Sequence, residues 1–174
     1  DLKNAKETLE RVIAEIERTT RQRFLEIFTQ IRQTFIDIFT DLFEGGKADL
    51  FLMDPDDPLE TGIEILAQPP GKRLQSLSLL SGGERAMTAI ALLFAILKVK
   101  PSPFCILDEI DATLDDVNVT RFAELLAKFS QDLQFIVITH RRGTMEMANA
   151  LYGVTMEELG VSKLISIDLQ RKVG

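Results

Sequence analysis

The chain has 174 residues, 45% of them hydrophobic, with 20 Lys and Arg against 27 Asp and Glu and a formal net charge of −7. That length and apolar content suit one domain with a sizeable core and exclude wholesale disorder, which goes with low hydrophobicity and high net charge. An acidic balance repels nucleic-acid phosphate, so any contact with DNA has to come from a local basic patch.

The chain opens Asp1-Leu2-Lys3, with neither Met nor a basic-then-apolar leader, which predicts no targeting peptide and a segment cut from something longer. Residues 1 to about 44 hold no Gly or Pro, and Leu2, Ala5, Leu9, Val12 and Ile16 recur at the 3,4-spacings of a heptad seam. A long helix is expected there. The seam gives way between Glu17 and Arg23 and resumes one residue out of phase at Phe24, Phe28, Ile31, Phe35, Ile38 and Leu42. This wide aromatic face suits packing on a sheet better than a coiled-coil seam. Residues 1–22 therefore read as the base of a coiled-coil arm and residues 23–174 as a globular body. Arg18, Arg21, Arg23 and Arg32 are the one basic cluster to nominate for DNA, and Glu15, Glu17 and Glu26 among them also fit a solvated helix face.

Gly45-Gly46 stops the helix, and two β-prone runs at 48–53 and 62–67, separated by Asp54-Pro55-Asp56-Asp57-Pro58, predict a hairpin. Gln68-Pro69-Pro70-Gly71 is a loop; residues 72–80 lead into Ser81-Gly82-Gly83 and an apolar helix from about 84 to 98, ended by Pro101-Ser102-Pro103. This apolar stretch is shorter than the roughly 20 residues that span a bilayer, so no membrane partner is expected. A strand at 104–107, a helix near 117–129, a strand at 134–139, a short helix around 144–150 and a strand at 163–169 complete the order. The alternation predicts an α/β fold, a mostly parallel sheet flanked by helices. Cys105, the single cysteine, excludes a disulfide scaffold, and its apolar neighbours predict a buried thiol in a reducing compartment.

Phe104-Cys105-Ile106-Leu107-Asp108-Glu109 reads as a strand buried on both faces that ends in two carboxylates, at the edge where parallel sheets bind ligands. A Walker B strand is built this way: Asp108 would hold Mg²⁺, and Glu109 would orient and deprotonate the water that attacks a γ-phosphate. Two acids that merely cap a turn fit the same residues. Ser81-Gly82-Gly83-Glu84 offers a hydroxyl, two glycines that permit close approach and a helix start that favours an anion. It equally has the spacing of a capping box. His140 follows the second strand, where it can hydrogen-bond a γ-phosphate or serve as an ordinary turn residue.

The order of these pieces resembles the C-terminal part of an ABC-type ATPase head. Residues 81–84 match its signature motif, Asp108 and Glu109 its Walker B pair, Ala112-Thr113-Leu114-Asp115 its D-loop and His140 its switch histidine. Leu107-Asp108-Glu109-Ile110-Asp111-Ala112, Thr139-His140-Arg141-Arg142-Gly143-Thr144-Met145-Glu146 and Leu151-Tyr152-Gly153-Val154-Thr155-Met156 resemble bacterial structural-maintenance-of-chromosomes (SMC) proteins. One part is missing: Gly-x-x-x-x-Gly-Lys-[Ser/Thr] occurs nowhere, and Gly45-Gly46-Lys47-Ala48 lacks its spacing and final hydroxyl.

The resemblance implies the C-terminal half of a head whose P-loop lies in an N-terminal lobe at the far end of a long coiled coil. It further implies ATP and Mg²⁺ as cofactors, and residues 81–84 acting on the ATP of a second head in a homodimer. A kleisin subunit would dock through its C-terminal winged-helix domain, and the work would be chromosome condensation, organisation and segregation on DNA in the cytoplasm. The chain alone would be inactive. A head lobe of a related coiled-coil DNA-repair ATPase, a transporter's nucleotide-binding subunit and a non-catalytic coiled-coil module are the alternatives, and the arm seam argues against the transporter.

Overall fold

The structure is a computed structural model that describes residues 2–168 and forms two compact units, one ending at Ser102 and one beginning at Pro103. In the first unit, α1 (Leu2–Leu42) runs unbroken through the expected division at residues 22 and 23. What changes there is exposure. Every residue from 2 to 23 is exposed, Phe24 is the first half-buried one, and Phe35, Ile38, Phe39 and Leu42 are buried. The packing partners of α1 are a strand, Lys47–Leu52, in keeping with the expected sheet, and also a helix, Gly82–Val99. Phe39 stacks on Phe43 at 4.2 Å between ring centroids.

The helix ends through three successive residues at positive φ, Glu44, Gly45 and Gly46. A Cβ on Gly46 would lie 2.3 Å from the Gln68 carbonyl oxygen, so the strand can start beside its partner only from a glycine. Strands β1 (Lys47–Leu52) and β2 (Ile63–Gln68) form the expected hairpin, with Leu50 opposite Ile65. A two-residue β3 (Gln75–Ser76) pairs with β2, and a 3-10 turn spans Leu77–Leu79. Neither is long enough to show a period in the sequence. The helix α2 (Gly82–Val99) follows, burying Met87, Ile90, Ala91, Phe94 and Ala95.

In the second unit, β4 (Phe104–Asp108) and β5 (Gln134–Ile138) are parallel neighbours, Cys105 opposite Phe135 and Asp108 opposite Ile138. The crossover between them is α3 (Asp116–Phe129), which packs on α4 (Arg142–Glu146). Gly143 allows that approach, since a Cβ there would sit 2.9 Å from Val119 Cγ1. The chain then forms a hairpin of β6 (Ala150–Glu158) and β7 (Val161–Asp168).

The α/β class stands, and the mostly parallel sheet does not. Among the described residues parallel pairing is confined to β4 and β5; the three-stranded and the second two-stranded sheets are antiparallel. A parallel pair needs a crossover, and only α3 supplies one between neighbouring strands. The helix expected at 144–150 is shorter and earlier, and Ala150 already begins β6. The strand expected at 163–169 is β7, with Leu169 outside the described residues. The strand at 104–107 is not buried on both faces either. Leu107 is buried on one face, while Phe104, Ile106, Ile136 and Ile138 share the other at 47–56% exposure. Cys105 is half-buried, and burial pushes its thiol pKa up.

Candidate functional site

The pairing of β4 with β5 brings three of the sequence-derived residues to one sheet edge. Asp108 is the last residue of β4 and Glu109 the next, both exposed, while Thr139 and exposed His140 leave β5 directly alongside. The Glu109 N–H donates to the Ile138 carbonyl at 2.9 Å, which ties the two strand ends together. This is the C-terminal edge of a parallel pair, where α/β sheets bind ligands.

Glu109 carries a mark that the sequence does not reveal: its φ is +49°, in the left-handed region that favours glycine. A glutamate held there costs about 1 kcal/mol or more, and such strain concentrates at functional sites. The turn that holds it closes with the Ala112 N–H on the Glu109 carbonyl at 3.1 Å and the Leu114 N–H on the Asp111 carbonyl at 3.1 Å. Asp115, the residue matched to a D-loop from the sequence, caps α3, its carboxylate accepting from the Asn118 N–H at 2.8 Å.

In the first unit, Ser81 caps α2. Its hydroxyl accepts from the Glu84 N–H at 3.5 Å and donates to Glu84 Oε2 at 2.6 Å, and the Ser81 N–H donates to that same oxygen at 3.1 Å. The capping box read from the spacing is present. Lys72 completes it, Nζ lying 2.8 Å from the Glu84 carboxylate. Partial burial raises the Glu84 carboxyl, and the bonds from Lys72 and Ser81 together outweigh it and hold the group below the ordinary carboxylate range. Lys72 lies 12 residues from Glu84 in an irregular segment, so no periodicity points to it. A Cβ on Gly82 would meet nothing within 4 Å. Packing among the described residues does not require that glycine, whereas close approach of something from outside would.

Of the four arginines, Arg18, Arg21 and Arg32 lie on one side of α1, and two of these three are engaged within the chain. Arg32 holds Asp49 through two bonds, Nε at 2.5 Å and Nη2 at 2.7 Å, and its guanidinium lies 5.3 Å from the centre of the Phe51 ring. The Arg32 bond holds the Asp49 carboxyl below its usual range, and the same bond raises Arg32. Arg21 donates from Nη1 to the Asp56 carbonyl at 2.7 Å. At about 100° per residue, Arg23 points to the side of α1 opposite Arg21 and Arg32. A basic cluster read along a sequence need not share a helix face.

A family model described as "RecF/RecN/SMC N terminal domain" matches residues 3–163. The chain is 62% identical over 170 residues to the chromosome partition protein Smc of Bacillus subtilis, covering 98% of this chain and 14% of that protein. It thus spans about one seventh of the curated relatives it matches. Among solved structures, one from a study of ATP-driven dimerization and DNA-stimulated activation of SMC ATPases aligns with a TM-score of 0.78 at 45% identity, covering 86% of this chain and 91% of that one. An Smc head domain with an extended coiled coil, bound to the C-terminal domain of ScpA and derived from Pyrococcus furiosus, aligns at 0.83 and 46% identity. That match covers 95% of this chain and 41% of that one.

Proposed function

The chain belongs to the RecF/RecN/SMC family, and from that premise we propose that it is the C-terminal lobe of an SMC ATPase head, completed by an N-terminal lobe that carries the P-loop. The observation that carries this reading is the β4–β5 edge, where Asp108, a strained Glu109 and His140 emerge from adjacent parallel strands with no P-loop anywhere in the 174 residues. The matching family model takes its description from the N-terminal end of such proteins. Two features support the other half instead. The chain runs in the order signature, acidic strand, histidine, and the apolar face of Phe104, Ile106, Ile136 and Ile138 lacks a cover within the described residues.

Among the described residues no three His, Cys, Asp or Glu side chains gather to cage a metal. A lone exposed carboxylate fits Mg²⁺, which is commonly held by one or two carboxylates together with substrate phosphates. Asp108 would hold it, and when bound the ion supplies charge neutralisation to the phosphates. Glu109 would accept the proton of the attacking water, and His140 would hydrogen-bond the γ-phosphate from the neighbouring strand end. Ser81 and the N–H groups of Gly82 and Gly83, at the positive end of α2, would meet the γ-phosphate of ATP held by a second copy of the head. Two heads would then close around two nucleotides and part on hydrolysis, moving their arms on chromosomal DNA. A kleisin would dock through its C-terminal winged-helix domain, the counterpart of the ScpA domain bound to the Pyrococcus furiosus head. Arg18 and Arg23 remain as exposed, separate basic points for DNA.

Two measurements test this. Co-expression with the P-loop lobe should give a stable complex that binds Mg-ATP in calorimetry, where this chain alone gives a flat trace. In the complete protein, Glu109→Gln should slow turnover by about 10²–10⁴ and accumulate ATP-bound dimers, whereas Asp108→Asn should be slow and monomeric. Parental turnover by Glu109→Gln would remove Glu109 as the base.

A further inference from the structure

Two turns meet beneath the sheet edge, and one buried carboxylate joins them. Asp111 is 1% exposed, the one fully buried carboxylate among the described residues. Its Oδ2 accepts the hydroxyl of Thr139 at 2.7 Å and that of Thr144 at 2.6 Å. Its Oδ1 is buried with no hydrogen-bond partner. Thr139 and Thr144 flank the segment that carries His140, and Thr139 Oγ1 also accepts the Arg141 N–H at 2.9 Å. From that segment Arg141 Nη2 returns to the first turn, donating to the Leu114 carbonyl at 2.7 Å. His140 is thereby bracketed by two residues whose positions are set by the turn after β4. In that turn Asp111 stands two residues after Glu109, whose left-handed backbone persists only while its surroundings hold it.

A buried carboxylate with an idle oxygen costs stability, and a side chain needed only for packing would be apolar at this depth. The cost is explained if the group aligns others. We propose that Asp111 is a positioning residue that locks the turn carrying Asp108 and Glu109 to the turn carrying His140, so that the water-activating carboxylate and the phosphate-contacting imidazole keep one fixed separation. This rests on the ATPase reading above.

The test uses the complete protein with its P-loop lobe. Asp111→Ala should slow single-turnover ATP hydrolysis by about 10- to 100-fold, the scale of a misplacement near 1 Å. ATP affinity, measured by calorimetry in a Glu109→Gln background, should stay at the parental value. Asp111→Asn keeps an oxygen that can accept both hydroxyls and should recover most of the rate. Thr144→Val removes one hydroxyl at nearly constant volume and should slow hydrolysis, while Thr144→Ser should retain it; this pair carries the test if Asp111→Ala does not fold. Parental hydrolysis by Asp111→Ala beside a slow Glu109→Gln overturns the lock alone. So does a joint fall of rate, affinity and melting temperature with no recovery in the Asn and Ser variants. Parental hydrolysis by Glu109→Gln overturns the ATPase reading and the lock with it.

Discussion

The start of α2 and the end of β4 both carry a short acidic motif, yet they are built in opposite ways. At residues 81–84 the polar side chains find local partners: Ser81 and Glu84 satisfy each other and Lys72 answers the carboxylate. At residues 108–111 the chain holds a glutamate at φ +49° and a buried carboxylate oxygen with nothing to bond. The first arrangement lowers the energy of its own helix, so its presence is explained without any ligand. The second raises the energy of the fold by a few kcal/mol, taking about 1 for the backbone and about 1–3 for the unsatisfied group. An arrangement that costs stability calls for a reason beyond the fold, which makes the β4 end the firmer support for the proposed ATPase reading. The α2 start has one unexplained feature, the open space over Gly82.

Glu109→Gly breaks the comparison most severely. Glycine adopts φ +49° freely, so the substitution should leave the melting temperature of the complete head unchanged or raise it by about 2–4 °C. It should also cut ATP turnover by at least about 10²-fold. A stabilised and still active variant would mean that the strain serves no chemistry.

At the other motif the expected effects separate by substitution. Ser81→Ala removes the cap and should cost about 1 kcal/mol of stability in a denaturant titration. Ser81→Arg adds a long cation over the open side of Gly82 and should abolish ATP-driven head pairing, seen by size-exclusion chromatography, while one head still binds ATP. If pairing survives Ser81→Arg, residues 81–84 are a helix cap and nothing more.

How far the sequence can be read follows from the range of each interaction. The capping box spans three residues and the hairpin is framed by its own turn, so both were legible, as were the acidic strand end and the histidine that the parallel pairing brings beside it. The partners of Asp111 lie 28 and 33 residues away, and Arg32 finds Asp49 across a change from helix to strand. No local period encodes such pairs. The exposed face of β4 misled for a related reason. Phe104-Cys105-Ile106-Leu107 is apolar throughout, as in a doubly covered strand, yet the cover for one face is absent from the described residues. β6 has no counterpart among the expected elements, although Tyr152, Val154 and Met156 alternate with Gly153 and Thr155 as in a strand.

The smallest effect tests whether the α2 start is held by charge or by packing. Glu84 has a folded pKa below its ordinary 4.5, so its contribution to stability is present above pH 4.5 and is lost as pH falls through the lowered folded value. Lys72 is the first cause of that lowering after the opposing effect of burial. The Lys72 side chain is 46% exposed, so solvent screening keeps the pair below about 1 kcal/mol. Lys72→Met keeps most of the stem and removes the ammonium. At pH 7 it should lower the melting temperature of the complete head by a degree or two, on the order expected for a fraction of 1 kcal/mol in a domain of this size. As pH falls through the lowered folded value and Glu84 takes up its proton, the two melting curves should converge, and 1 M salt at pH 7 should narrow the gap in the same way. A gap that stays constant as the pH is lowered below 4.5 and in high salt would assign Lys72 to packing of its methylenes against the loop and leave the Ser81–Glu84 box to hold the helix start unaided.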